Sequence, residues 1–115
     1  MKEGDLILTR VPQADGAVKN RPAIILREMP PHRDLLVCGV STQLAQRVPD
    51  FDEIISISDP DFSASGLRSE SLIRLGYLAV LPRSSVLGSI GTISLERHRR
   101  LLKTLSIYFL KYEPQ

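Results

Sequence analysis

Few side chains in this 115-residue chain have the type and spacing that chemistry requires. The single cysteine, Cys38, lies in the apolar run from Leu35 to Ser41, where a thiol reads as a small buried hydrophobe. It excludes an internal disulfide framework and any multi-cysteine metal site. The two histidines stand far apart, His32 in a proline-rich loop and His98 in a basic run, so neither metal nor cofactor is expected. Asp59 and Asp61 flank Pro60, where carboxylates read as acceptors for the amides of a turn. The densest positive charge is Arg97-His98-Arg99-Arg100 with Lys103. It reads as a solvated helix face, or as a surface that attracts phosphate or an acidic partner segment. No glycine-rich phosphate loop, nucleophile elbow or HExxH motif occurs.

Length and composition set bounds on these groups. The chain is 43% hydrophobic and 24% charged, which excludes wholesale disorder and gives one domain over residues 1–115. The net charge of +2 does not by itself imply nucleic acid, but it is unevenly spread. Residues 1–50 carry +1, residues 51–70 carry −4 and residues 71–115 carry +5. The opening MKEGDLILTR has no apolar signal core and no long apolar run follows, so a cytoplasmic protein without a membrane segment is expected.

The elements that must position these groups are mainly strands. Alternation and apolar runs predict strands at Asp5–Arg10, Pro22–Leu26, Leu35–Ser41, Glu53–Ser58, Leu72–Leu81 and Val86–Gly91. Ala14-Asp15-Gly16 and the Pro30-Pro31 pair mark loops, as does the small-residue stretch Ser63–Ser69. Gly76 reads as a bulge or a close backbone approach inside the fifth strand. The period then changes to helical, with Ser94 as N-cap and Glu96 in the first turn. Leu95, Leu102, Leu105 and Phe109 form the apolar stripe, broadened by Leu101 and Tyr108, and Arg97, Arg99, Arg100 and Lys103 take the other side. Strands grouped ahead of one helix argue for an α+β, mainly β fold or a small barrel with a helix packed on it.

Three blocks then carry a resemblance: Gly4-Asp5-Leu6-Ile7-Leu8, Lys19-Asn20-Arg21-Pro22-Ala23-Ile24-Ile25-Leu26, and Val37-Cys38-Gly39-Val40-Ser41-Thr42-Gln43. Their order resembles the MazF/PemK family of toxins from type II toxin–antitoxin pairs. Gly66-Leu67 leading to Glu70-Ser71-Leu72-Ile73, and Leu87-Gly88 leading to Ser94-Leu95-Glu96, extend it over nearly the whole chain. The resemblance implies a small, strongly bent antiparallel sheet of SH3-like barrel type, the MazF/PemK/CcdB-like fold, with a C-terminal amphipathic helix. It implies metal-independent, sequence-selective cleavage of single-stranded RNA, usually mRNA, by a homodimer. A cognate antitoxin with an acidic tail would cover the RNA site. Members that poison gyrase, or that only bind their antitoxin, give the alternative of a non-catalytic toxin on the same fold.

RNA brings its own nucleophile, the 2′-hydroxyl, so an enzyme need only orient it, manage protons and stabilise the phosphorane. The family's essential Arg before Pro falls on Arg21, whose guanidinium would hold two phosphate oxygens. Its essential Thr at the third strand's end falls on Ser41, which keeps the hydroxyl and loses the methyl. Thr42 and Gln43 would meet RNA backbone or base edges, and Arg10 and Lys19 flank the first loop within reach of phosphate. Two departures stand out. The fifth strand reads Gly76-Tyr77-Leu78-Ala79 where many members carry Gln and Arg, and the first loop lacks an acid directly before Lys19. Tyr77 is the only strand aromatic placed to stack on a base.

Overall fold

A six-stranded antiparallel sheet carries the molecule, in the order β4-β5-β3-β2-β1-β6. The strands are β1 Asp5–Pro12, β2 Val18–Met29, β3 Asp34–Ser41, β4 Glu53–Ile55, β5 Ser71–Leu81 and β6 Val86–Thr92. A single turn of helix, α1, spans Phe62–Ser65, and the long helix α2 spans Leu95–Leu110. This computed structural model describes residues 1–12 and 16–115. The loop expected at Ala14-Asp15-Gly16 therefore lies outside the described residues except for Gly16. Every expected strand is present. The fourth is shorter than expected and stops at Ile55, because the Ser56 amide leaves the ladder to donate to Asp59 Oδ2 at 2.8 Å.

Side-chain alternation divides the sheet into two faces. Leu6, Ile24, Leu26, Cys38 and Val40 point to one side and pack with Ile55, Ile73, Leu75, Leu101 and Leu105 under α2. Ile7, Ala23, Ile25, Leu35 and Val37 point to the other and form a second, smaller cluster. Cys38 lies in the first cluster, and burial pushes its thiol up to about 12. Three ladders carry register shifts, β1 with β6, β2 with β3 and β3 with β5, and such bulges bend and twist a sheet.

Two of these bulges free a backbone group that a side chain then takes up. Leu26 has no partner in β3, and its carbonyl accepts from His98 Nε2 at 2.8 Å. Leu75 has no partner in β3 either, and its amide donates to Asp52 Oδ1 at 3.0 Å while Val48 N donates to Oδ2 at 2.9 Å. Gly76, read as a bulge candidate, sits between Arg74 and Leu78 in this irregular stretch. The α1 turn is held close on β6 through glycine: a Cβ on Gly91 would collide with the backbone of Ala64 and Ser65.

The helix begins as expected, with Ser94 Oγ accepting from Arg97 N at 3.1 Å. Its buried face differs from the expected stripe. Arg97, His98, Leu101 and Leu105 are buried, whereas Leu95 is 63% and Phe109 61% exposed. Leu101 and Leu105 each contribute roughly 1.5–3 kcal/mol by burial. Arg97 does not belong to a solvated face. Its guanidinium reaches Asp61 Oδ2 at 2.8 Å, Glu53 Oε1 at 2.8 Å and Asp59 Oδ2 at 2.9 Å. Arg100 shares Glu53 at 3.0 Å, while Arg99 and Lys103 remain exposed. The acidic middle segment and the basic tail of the sequence are thus partly internal partners. Burial works against charge on Asp61, but hydrogen bonds from Arg97 and the Ser94 amide outweigh it and hold the carboxyl below its ordinary value.

Candidate functional site

A groove of about 490 Å³ opens on the face opposite α2, over the ends of β1, β2, β3 and β5. Strand pairing brings its residues together. Thr9 of β1 is paired with Arg21 of β2, and Arg10 with Asn20. The β2–β3 ladder closes with Ala23 opposite Gly39, and two residues further along each strand stand Arg21 and Ser41, both lining the groove. Pro22, which has no amide hydrogen, lies opposite Leu8 in β1, just beyond the last β2–β3 pair.

At the tip of β3 the chain turns sharply. Gln43 N donates to Ser41 Oγ at 3.0 Å, and Leu44 N donates to Thr42 O at 3.0 Å. A 3-10 turn at Leu44–Gln46 follows. This places Thr42, Gln43 and Gln46 on the rim. The Ser41 hydroxyl accepts one backbone bond and keeps its own proton to donate, so capping the strand end does not exhaust it.

Of the residues singled out from sequence, Arg10, Arg21, Ser41, Thr42 and Gln43 meet in this groove. Lys19 does not line it; it sits exposed opposite Val11, further out along the β1–β2 ribbon. Two further residues come in that sequence reading passed over, Arg74 and Gln46. The fifth strand was read as lacking the family's polar groups, yet Arg74 brings a guanidinium into the groove from just ahead of Gly76. Its signal was present in the alternation: Ile73 and Leu75 are buried in the core under α2, so Arg74 between them faces the other way.

The electrostatic character of the groove follows from this set. Three guanidiniums, Arg10, Arg21 and Arg74, line it with no carboxylate among the lining residues. Arg27, Arg33, Arg83, Arg97 and Arg100 each have a carboxylate partner. The three groove arginines have none among the described residues. The basic run of the helix is thus partly neutralised within the fold through Arg97 and Arg100, while the groove gathers three guanidiniums with no carboxylate on its lining. Phosphate is the natural complement of clustered, unpaired guanidiniums, and hydroxyl and amide groups beside them suit a polar ligand. Neither helix of the described residues is long and apolar enough to cross a membrane.

The antiparallel sheet, its C-terminal helix and this cationic groove define a small, mainly β type of domain. A family model described as PemK-like, MazF-like toxin of type II toxin–antitoxin system matches residues 2–109. The chain belongs to that family, and is therefore the toxin of a toxin–antitoxin pair. Among solved structures it is similar to the Mycobacterium tuberculosis toxin MazF-mt6, with a TM-score of 0.67 and 17% identity, over 95% of this chain and 99% of that one. That likeness concerns the fold. Curated protein sequences give no match.

Proposed function

We propose that this toxin is a sequence-selective endoribonuclease that cleaves single-stranded RNA, above all mRNA, through attack of the 2′-hydroxyl. The observation that carries the reading is the meeting of Arg21 and Ser41 on neighbouring strands, in a groove with three guanidiniums that have no carboxylate partner among the described residues. In the reaction the 2′-oxygen forms a bond to phosphorus and the bond from phosphorus to the 5′-oxygen breaks. The 2′-hydroxyl loses its proton, the leaving 5′-oxygen gains one, and the products end in a cyclic phosphate and a 5′-hydroxyl. Arg21 faces the non-bridging oxygens and stabilises the charge that grows on them. Ser41 donates its proton to a phosphate oxygen or aligns the 2′-hydroxyl. Arg10, Thr42 and Gln43 hold the strand on either side. Lys19 lies outward of these and would meet a longer strand.

The partners follow from the same groove. An acidic antitoxin tail would lie over Arg10, Arg21 and Arg74 and exclude RNA. A homodimer fits the apolar side chains left open late in the chain, where Phe109 is 61%, Leu110 84% and Tyr112 78% exposed. The test is incubation of purified protein with a long mRNA in chelator, with 5′ ends mapped. Cuts at a recurring short motif, lost in Arg21→Ala, are expected. Undiminished cutting by that variant overturns the assignment. Antitoxin binding without any cutting by the wild type would replace it with the non-catalytic alternative.

A further inference from the structure

Arg74 and Tyr77 stand three positions apart in β5, a spacing that puts side chains on opposite faces of a regular strand. Here they line the same groove. The reason is the irregular stretch between β3 and β5. Gly39 is opposite Arg74, but its neighbour Cys38 is opposite Leu78, so Leu75, Gly76 and Tyr77 have no β3 partner. The bulge reverses the strand's facing. Before it, Arg74 looks into the groove while Ile73 and Leu75 look into the core; after it, Tyr77, Ala79 and Leu81 look into the groove.

Two further features hold this pair in place. The Arg74 guanidinium lies over the Tyr77 ring, with Cζ 5.4 Å from the ring centroid. The ring occupies space that only glycine leaves free, since a Cβ on Gly39 would stand 2.9 Å from Tyr77 Cδ1. The Tyr77 side chain nonetheless stays open, at 52% exposure. A half-open aromatic ring, layered with a planar cation and seated beside phosphate-binding groups, is the surface on which a nucleobase stacks.

We infer that Arg74 and Tyr77 form a base-stacking platform that binds one unpaired nucleobase of the RNA strand held by Arg21 and Ser41. This rests on the nuclease reading of the groove and adds to it the site where one base is gripped. Stacking accepts any π face, so the platform supplies affinity and register, while base identity is read elsewhere.

The test uses single-stranded oligonucleotides that span the mapped cleavage motif, with a 2′-deoxy residue at the cut to prevent cleavage. An abasic residue is moved along the series and binding is followed by fluorescence anisotropy. For the wild type, one abasic position is expected to weaken binding roughly tenfold. Tyr77→Phe keeps that penalty. Tyr77→Leu binds the intact oligonucleotide roughly tenfold more weakly and no longer distinguishes the abasic one. Arg74→Lys keeps the salt dependence of binding but shrinks the penalty, because a lysine retains the charge without the plane. Thermal melts of each variant confirm that the fold is kept. An abasic penalty undiminished in Tyr77→Leu, or no penalty at any position in the wild type, overturns the platform while leaving cleavage intact. Wild-type protein that neither cuts mRNA nor binds the oligonucleotides overturns the nuclease reading and the platform together.

Discussion

The carboxylate of Asp52 accepts the backbone amide of Leu75 at 3.0 Å, across 23 residues of sequence and in a buried setting. That bond satisfies the group that the β5 bulge withdraws from the ladder. Its second oxygen takes Val48 N, so one side chain fastens both the connection before β4 and the bulge beside the groove.

Asp52→Ala leaves two amides without acceptors, each costing about 1–3 kcal/mol if it stays dry. We expect a loss of at least about 2 kcal/mol by denaturant unfolding. Groove binding should fall as well, because the bulge turns Tyr77 to the side that Arg74 faces. A variant of wild-type stability would show that water replaces the carboxylate.

Arg21→Ala should lower RNA cleavage by about 100-fold or more, the range seen when a charge-stabilising donor is removed from a transition state. Arg21 is exposed, so the thermal midpoint should stay within the error of the measurement. With three guanidiniums at phosphates, the logarithm of the RNA binding constant should fall against the logarithm of salt with a slope of about −2. A slope near zero would remove phosphate contact from the groove's role.

At Ser41, replacement by threonine should preserve or raise activity, whereas Ser41→Ala should reduce it by about tenfold or more. The alanine loses both the acceptor for Gln43 N and the hydroxyl proton in the groove. Single-turnover cleavage measures both. Equal rates for alanine and serine would confine the residue to its strand-end role.

Asp61 sets a limit on acid stability. Its folded-state carboxyl titrates below the ordinary 3.8, so its stabilising charge is fully present above that value. The contribution is lost as pH falls from about 4 through the folded value, because the unfolded chain then takes up a proton that the folded one resists. Asp61→Asn should cost about 1.5–3 kcal/mol at neutral pH by removing one of the three carboxylates that hold the buried Arg97 guanidinium, and should flatten the acid limb of a melting curve. An unchanged acid limb would assign the loss to other carboxylates.

Cys38 should be inert to thiol reagents in the folded protein. With its thiol pushed up to about 12 by burial, almost no thiolate exists at pH 8. Labelling should follow unfolding, and fast labelling of native protein would mean that the sheet opens at β3.

Much of this was legible in the residues. The strands of β1, β3 and β6 and the Ser94 cap follow from alternation and local chemistry, and Arg21-Pro22 with Ser41 marked the groove before its walls were known. Two things were not legible, for related reasons. Arg97 belongs by position to a basic run, and only the fold shows the acidic segment at Glu53, Asp59 and Asp61 closing round it. Arg74 and Tyr77 fall on opposite sides of an ideal strand, and only the irregular stretch between them, where Asp52 takes the Leu75 amide, brings both to one side. Local pattern reports neighbours along the chain; both failures concern partners reached across it.

The two-sidedness of β2 and β3 bears on how such toxins diverge. Ile24, Leu26, Cys38 and Val40 are committed to the core under the helix, while Arg21 and Ser41 emerge from the same strands on the far side. Changes of ligand preference written into the outer positions need not be rewritten into the inner ones. A change in what the groove binds can therefore leave the packing beneath the helix intact.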